Sequence, residues 1–261
     1  MIQAVVLDLD GTLLNTEHEI SSYNYEVIQQ LKAQNIAIFL ATGRSFNSMR
    51  PYYQQLKLNT PAICYNGAKI VYSDGTVTEF PVAEEQVKKM IDLAHVRSIH
   101  MNIYQDEVWY VEDAKNEESQ LYHQISGLTP VQRSFDTLPH YKSTKVLYVS
   151  SHEVLLTLQA QLHEIFGQDI ESTFSKPYFL EILQAGVHKG STVKKVMQEY
   201  GIELKNVIAF GDQFNDMEML QTVGIGIAME NAVPKLKEVA VDIAQPHNKS
   251  GVGVYLQRYL A

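Results

Sequence analysis

Apolar residues in the first third of the chain follow two patterns that alternate. Short, mainly apolar runs occur at 4–10, 36–42 and 62–67, and residues 21–35 repeat their apolar positions at helical spacing. Strands that are largely apolar and separated by helices are typical of a parallel sheet buried on both faces. The pattern therefore predicts a Rossmann-like α/β fold for the start of the chain.

The pattern changes near residue 69. Apolar and polar residues alternate in predicted hairpins at 69–80 and 100–113, and amphipathic helices are predicted at 84–96 and 152–166. This mixture is typical of helices packed on an antiparallel sheet, which is an α+β arrangement.

After residue 186 helices and apolar strands alternate again, with helices predicted at 191–201 and 216–223 and strands at 206–212 and 225–229. The economical interpretation is a discontinuous α/β core interrupted by a single insertion. The sequence predicts the core at residues 1–81 and 186–261 and an inserted α+β cap domain at 82–185.

Four short motifs stand where predicted strands end and loops begin. They are DLDGT at 8–12, ATGR at 41–44, HKG at 188–190 and GDQFND at 211–216. In open α/β sheets, ligands bind at the edge formed by the carboxyl ends of the strands. We therefore expect the four motifs to contribute to one site.

The first motif places two acids close together. Asp8 and Asp10 are separated by one residue, so their side chains would face the same way if the strand continued through Asp10. Gly11 would then let the chain turn away. Burying an unpaired carboxylate is costly, so we expect these acids to bind a group that neutralises them.

The residue types in the motifs favour a metal ion and a phosphate group together. Lys189 offers a positive charge and Thr42 a hydroxyl donor for phosphate oxygens. A cluster of carboxylates without histidine or cysteine suits Mg²⁺, which prefers oxygen ligands. The carboxylates of the motifs are Asp8, Asp10, Asp212 and Asp216.

In this order and spacing, the motifs resemble those of the haloacid dehalogenase-like phosphatase superfamily. The large insertion between the second and third motifs resembles its Cof-type branch, and the resemblance covers nearly the whole chain. It implies a Mg²⁺-dependent phosphatase that hydrolyses small phosphomonoesters through an aspartyl-phosphate intermediate. Sugar phosphates are the substrates that the resemblance favours, and nucleotides or a phosphorylated cofactor stay open.

The same resemblance implies a role for each motif residue. Asp8 would be the nucleophile, and Asp10 would protonate the leaving group and later activate water. The other implied roles are metal ligation by Asp8, the Asp10 backbone carbonyl and Asp212, phosphate binding by Leu9, Thr42, Gly43, Lys189 and Asn215, support by Asp216, and substrate contact by the candidates Arg44 and Asn66.

The acid at position 10 separates this chain from other branches of the superfamily. By the same resemblance, the position that matches Asp10 holds a threonine in the ion-pumping ATPases, and the dehalogenases lack the second acid. An aspartate at this position therefore favours phosphoester hydrolysis or phosphomutase chemistry. A phosphomutase usually carries a smaller cap soon after the first motif, and a non-catalytic phospholigand-binding protein commonly lacks an acid. Both stay open as alternatives. The chain departs from the family pattern at Gln213 and Ser250.

Composition narrows the expected partners. The 261 residues carry a formal net charge of −9, whereas nucleic-acid binding usually requires a basic surface. No stretch approaches the roughly 18 apolar residues of a membrane span, and the first residues lack signal-peptide features. The single cysteine, Cys64, excludes an intrachain disulfide. We expect a cytoplasmic protein whose partner is a small phosphorylated metabolite; the sequence gives no signal for an oligomeric state.

Overall fold

The computed structural model describes residues 2–260 of the chain. They form two compact units, which we call the core unit (residues 2–78 and 188–260) and the inserted unit (residues 79–187). The sequence predicted boundaries after residues 81 and 185, and the structure has them after residues 78 and 187.

The first segment of the core unit alternates strands and helices. Both helices begin at serine caps, because Ser21 accepts a hydrogen bond from the Asn24 amide and Ser45 accepts one from the Ser48 amide. The elements are β1 (Ala4–Leu7), α1 (Ser22–Ala33), β2 (Ala37–Leu40), α2 (Phe46–Gln55), β3 (Ala62–Cys64), β4 (Lys69–Val71) and β5 (Val77–Glu79), of which β5 crosses the boundary between the units.

The inserted unit is built on a six-stranded sheet with the order β10-β11-β9-β6-β7-β8, in which only the β7–β8 pair is parallel. Its elements are α3 (Glu84–Arg97), β6 (His100–Gln105), β7 (Val108–Val111), α4 (Glu117–Ser126), β8 (Val131–Gln132), β9 (Lys145–Val149), α5 (His152–Phe166), β10 (Ile170–Lys176) and β11 (Phe179–Gln184). This is the α+β arrangement that the alternating pattern predicted.

The second segment of the core unit returns to alternating helices and strands. Its elements are α6 (Lys189–Glu199), β12 (Val207–Gly211), α7 (Met217–Thr222), β13 (Ile225–Met229), α8 (Pro234–Val239), β14 (Asp242–Ala244) and α9 (Gly251–Leu256). Between residues 2 and 260, none of the helices has both the length and the apolar character that a membrane span requires.

The core sheet has the strand order β14-β13-β12-β1-β2, and every pair in it is parallel. Strand β1, which lies between β12 and β2, is fully buried, which explains why it is apolar throughout. The predicted fold class, an α/β core with an inserted α+β unit, is confirmed. Because β12, β1 and β2 are neighbours, the loops that follow them lie side by side at one edge of the sheet.

Candidate active site

The loops after these three strands carry residues of the predicted site. Asp8 follows β1, Thr42 lies two residues after β2, and Asp212 follows β12. Lys189 is the first residue of α6, and its side chain is fully buried. The structure thus brings all four motifs together at one edge of the core sheet.

The first motif leaves the sheet earlier than the sequence suggested. β1 ends at Leu7, and residues 9–13, beginning with Leu9, form a tight turn that the Leu14 amide closes by donating to the Leu9 carbonyl at 2.9 Å, with non-helical backbone angles at Asp10 and Gly11. Gly11 has a φ of 77°, and a Cβ there would lie 2.3 Å from Asp212 Oδ2, so only glycine lets the turn approach Asp212 this closely. The predicted strand extent of 4–10 is wrong, and the condition under which Asp8 and Asp10 would share a strand face is not met, because the strand ends before either residue.

Lys189 joins two carboxylates inside the protein. Its Nζ donates to Asp8 Oδ1 at 2.7 Å and to Asp216 Oδ1 at 2.6 Å, and the lysine side chain is 0% exposed. Burial opposes the charge of Lys189, but the charges of Asp216 and Asp8 and their hydrogen bonds raise its pKa overall. The lysine is therefore a permanent cation in the site.

Asp216 organises the loop that carries Asp212. Asp216 Oδ2 accepts hydrogen bonds from the backbone amides of Asp212 at 2.9 Å and Gln213 at 3.1 Å, while Oδ1 binds Lys189. The Asp212 carboxylate accepts a hydrogen bond from Thr12 Oγ1 at 3.1 Å. Both oxygens of Asp216 are thus already bound by groups of the chain, whereas Asp212 has weaker protein partners.

The carboxylate cluster fits a hard divalent cation. An oxygen from each of Asp8, Asp212 and Asp216 lies within 4.8 Å of the others, and all three residues are buried. Burial raises the pKa of Asp8 to about 7; Lys189 opposes this rise, and Asp216 and Asp10 add to it. Burial also raises the pKa of Asp212, with Asp8 and Asp216 contributing. One ammonium and three carboxylates leave excess negative charge, and an all-oxygen donor set suits an ion of the Mg²⁺ or Ca²⁺ type.

Arg44 of the second motif holds the carboxylate of Asp10. Its Nε donates to Asp10 Oδ2 and its Nη2 to Asp10 Oδ1, both at 2.6 Å, so the pair is bidentate. Burial lowers the pKa of Arg44, but the hydrogen bonds and charge of Asp10 raise it overall. Nη1 donates to Ser48 Oγ at 3.2 Å, and the guanidinium lies 5.4 Å from the ring centre of Tyr52. The sequence suggested Arg44 as a substrate contact, and in this structure its guanidinium binds Asp10.

The remaining predicted residues form a second cluster in the core unit. Asn215 Nδ2 donates to Asn66 Oδ1 at 2.9 Å, and the Asn66 amide donates to the Thr42 carbonyl at 2.9 Å. A Cβ on Gly43 would lie 3.1 Å from Asn66 Oδ1. Thr42, Gly43, Asn66 and Asn215 therefore form one contiguous polar surface.

Sequence reasoning missed three neighbours of these residues. Thr12 binds Asp212, Ser48 binds Arg44, and His18 Nδ1 lies 3.7 Å from Asp10 Oδ1. Thr12 belongs to the DLDGT motif, so the motif itself carried a signal for it. Neither Ser48 nor His18 stands in a motif, and only the folded geometry identifies them.

Comparison with known proteins places the chain in a family. The chain matches the haloacid dehalogenase-like hydrolase family over residues 5–256. It is 32% identical over 267 residues to a protein named HMP-PP phosphatase from Serratia proteamaculans, covering 100% of this chain and 96% of that protein. A protein of the same name from Yersinia pestis (strain Pestoides F) is 29% identical over 264 residues, with the same coverage.

Solved structures agree with this assignment. A haloacid dehalogenase-like hydrolase from Bacteroides thetaiotaomicron has a TM-score of 0.89 at 27% identity and covers 99% of this chain and 100% of its own. A Thermotoga maritima protein has a TM-score of 0.84 at 30% identity, covering 99% and 97%. These relatives support a phosphatase, and the chain belongs to the haloacid dehalogenase-like hydrolase family.

Proposed function

We propose that this phosphatase is Mg²⁺-dependent and hydrolyses a small phosphorylated metabolite through an aspartyl-phosphate on Asp8. The observation that carries the proposal is the buried cluster in which Lys189 binds Asp8 and Asp216 while Asp212 lies close to both. Such a cluster offers a carboxylate nucleophile beside positive charge for the transferring phosphoryl group.

Asp8 is suited to be the nucleophile. Lys189 binds Oδ1, and among residues 2–260 no hydrogen-bond donor contacts Asp8 Oδ2. We assign the attack on phosphorus to Oδ2: its bond to phosphorus forms while the bond between phosphorus and the leaving oxygen breaks. Lys189 keeps the carboxylate in place and offsets negative charge during this transfer.

Asp10 is suited to move the proton. It gives a proton to the leaving oxygen in the first step and takes one from the attacking water in the second, in which the bond between phosphorus and Asp8 breaks and phosphate is released. Arg44 fixes the Asp10 carboxylate by two hydrogen bonds. These bonds hold Asp10 as the carboxylate that acts as the base in the second step; for the first step one of them opens, so that one oxygen of Asp10 carries the proton.

The other motif residues bind the metal and the phosphate in this proposal. Asp8, Asp212 and the Asp10 backbone would hold Mg²⁺, and when bound the ion would offset charge on the carboxylates and on the phosphoryl oxygens. The phosphate ligands would be the amides near Leu9, Thr42, Gly43, Lys189 and Asn215, with Asp216 holding Lys189 and the Asp212 loop.

The substrate is proposed from two sources. The relatives at 29–32% identity over the full chain are named HMP-PP phosphatase, which makes HMP-PP the first substrate to test. Sugar phosphates are the second, because the resemblance of the motifs favours them. In both cases we propose that the inserted unit selects the leaving group.

A phosphate-release assay tests the proposal. The purified protein should release phosphate from HMP-PP or from members of a sugar-phosphate panel with Mg²⁺ present, and EDTA should stop the reaction. Asp8→Asn should remove turnover, while Asp92→Asn, which makes the same change at an exposed position of α3, should retain it.

Other outcomes separate the alternatives. Turnover in Asp8→Asn would contradict the nucleophile assignment. Isomerised product without free phosphate would identify a phosphomutase. Tight binding of phosphorylated compounds without any turnover by the unaltered protein would identify a phospholigand-binding protein.

A further inference from the structure

A turn outside the four motifs borders the polar surface of Thr42 and Asn215. Tyr65, Asn66 and Gly67 follow β3, and all three are buried with positive φ, at 50°, 55° and 100°. Positive φ is uncommon for residues other than glycine, and backbone strain of this kind collects at functional sites. Two consecutive strained residues before the glycine therefore need an explanation.

The backbone of this turn is bonded to the second motif and to helix α6. The Tyr65 amide donates to the Arg44 carbonyl and the Asn66 amide to the Thr42 carbonyl, both at 2.9 Å. The Gly67 carbonyl accepts from Thr192 Oγ1 of α6 at 2.9 Å. The turn thus connects the loop of the second motif to the helix that begins with Lys189.

The side chain of Asn66 extends this connection to Asn215 of the fourth motif. Its Oδ1 accepts a hydrogen bond from Asn215 Nδ2 at 2.9 Å, and the Asn66 amide group is 3.1 Å or more from where a Gly43 Cβ would lie. Asn215 Oδ1 is buried and has no hydrogen-bond partner within residues 2–260. Asn66 is therefore the polar partner that sets the orientation of the Asn215 amide.

We propose that Asn66 is a positioning residue for phosphate, acting through Asn215; this rests on the proposed function, in which Asn215 binds a phosphoryl oxygen. The Asn215 amide nitrogen has two N–H bonds. One donates to Asn66 Oδ1, which fixes the amide plane and leaves the other N–H for phosphate. On this proposal the positive φ at positions 65 and 66 is retained because that backbone places Asn66 Oδ1 against Asn215.

The test separates the side chain from the backbone. Asn66→Gly removes Oδ1 but adopts a φ of 55° without strain, so the turn should persist. Asn35→Gly is the matched control, because Asn35 has a φ of 62° at an exposed position after α1. Binding of inorganic phosphate to each variant is measured by calorimetry with Mg²⁺ present. Asn66→Gly should bind about 10-fold more weakly than the unaltered protein, as expected if the Asn215 amide is no longer held in place and loses its hydrogen bond to the charged ligand, and Asn35→Gly should be unchanged.

A double-mutant cycle decides whether Asn66 acts through Asn215. Asn66→Gly/Asn215→Ala should bind phosphate no more weakly than Asn215→Ala alone. Losses that multiply in the double variant, or unchanged binding in Asn66→Gly, would each overturn the proposal. The test measures binding of inorganic phosphate and needs no turnover. If the unaltered protein hydrolysed no substrate, the proposed function would be contradicted, but the binding measurements would still decide the role of Asn66.

Discussion

Removing the charge of Lys189 should destabilise the core unit strongly. Lys189→Met keeps a side chain of similar length and removes the ammonium that binds Asp8 at 2.7 Å and Asp216 at 2.6 Å. Asp8, Asp212 and Asp216 would then remain together in a buried cluster without a neighbouring cation. Negative charges that are buried without partners are among the costliest arrangements in a protein.

The magnitude follows from the burial of the pair. Breaking a buried ion pair by removing one partner costs about 3–5 kcal/mol. Lys189 is 0% exposed, and its loss leaves two carboxylates without their ion-pair partner. We therefore expect the free energy of unfolding to fall by the upper end of this range, about 5 kcal/mol. Lys195→Met on the same helix is the control: its pair with Glu199 is 45% and 34% exposed, and exposed pairs contribute little to stability.

Urea unfolding followed by circular dichroism measures the difference. Trp109, the one tryptophan of the chain, lies in the inserted unit, so its fluorescence reports that unit, whereas circular dichroism reports both units. The loss in Lys189→Met should be largest at pH 8 with EDTA. It should shrink at pH 5, because carboxylates with raised pKa values take up protons in the folded state and lose their charge.

The prediction for Lys189→Met would be refuted if this variant were no less stable than Lys195→Met, because the buried pairs would then contribute nothing. It would also be refuted if the loss were as large at pH 5 as at pH 8, because uncompensated carboxylate charge would not be its cause.

Three further predictions follow from the same geometry. In the metal-free protein the pKa of Asp8 is raised from 3.8 to about 7. The protonated carboxyl therefore contributes stability at low pH, and this contribution is lost as pH rises from about 4 to about 7. Melting temperatures measured with EDTA should fall over this range, and they should fall less in Asp8→Asn. Arg44→Met should lower kcat about 10-fold on an alkyl phosphate, because Asp10 loses the two hydrogen bonds that orient it for both proton transfers. The loss should be smaller on p-nitrophenyl phosphate, whose leaving group needs no proton, and an unchanged kcat on the alkyl phosphate would contradict this role. Gly11→Ala should raise the Mg²⁺ concentration required for activity, because its Cβ would lie 2.3 Å from Asp212 Oδ2, whereas Gly75→Ala, with φ 87° and open space around it, should not.

Elements with a clear apolar pattern could be predicted from the sequence, and elements without one could not. The helix expected at 152–166 and the strand expected at 225–229 match α5 and β13. Helix α4 was missed because only Ser119 of its ten residues is buried, so it has no apolar stripe. Strand β10 was missed because only Ile170 and Phe174 of its seven residues are buried.

The residues of the candidate site could be predicted, but their pairing could not. Each motif is local in sequence, so the residue types and the sheet edge were accessible from the chain alone. The partners of Asp10 and Asp8 depend on where the first strand ends, and periodicity does not fix that end to within one or two residues. The strand stops at Leu7, so Asp8 binds Lys189 while Asp10 binds Arg44.

The start of helix α6 is locally unfavourable for the residue that the candidate site requires there. Lys189 begins α6, where the helix dipole disfavours a positive charge. The next residue must be Gly190, since a Cβ there would lie 2.5 Å from the Glu218 carbonyl oxygen. A fully buried lysine at a helix start is therefore retained against the helix's own preference, because that position brings its ammonium between Asp8 and Asp216. One lysine does not neutralise the three carboxylates of Asp8, Asp212 and Asp216, which still repel one another when no metal ion is bound. Binding of a divalent ion should therefore both complete the proposed site and stabilise the fold.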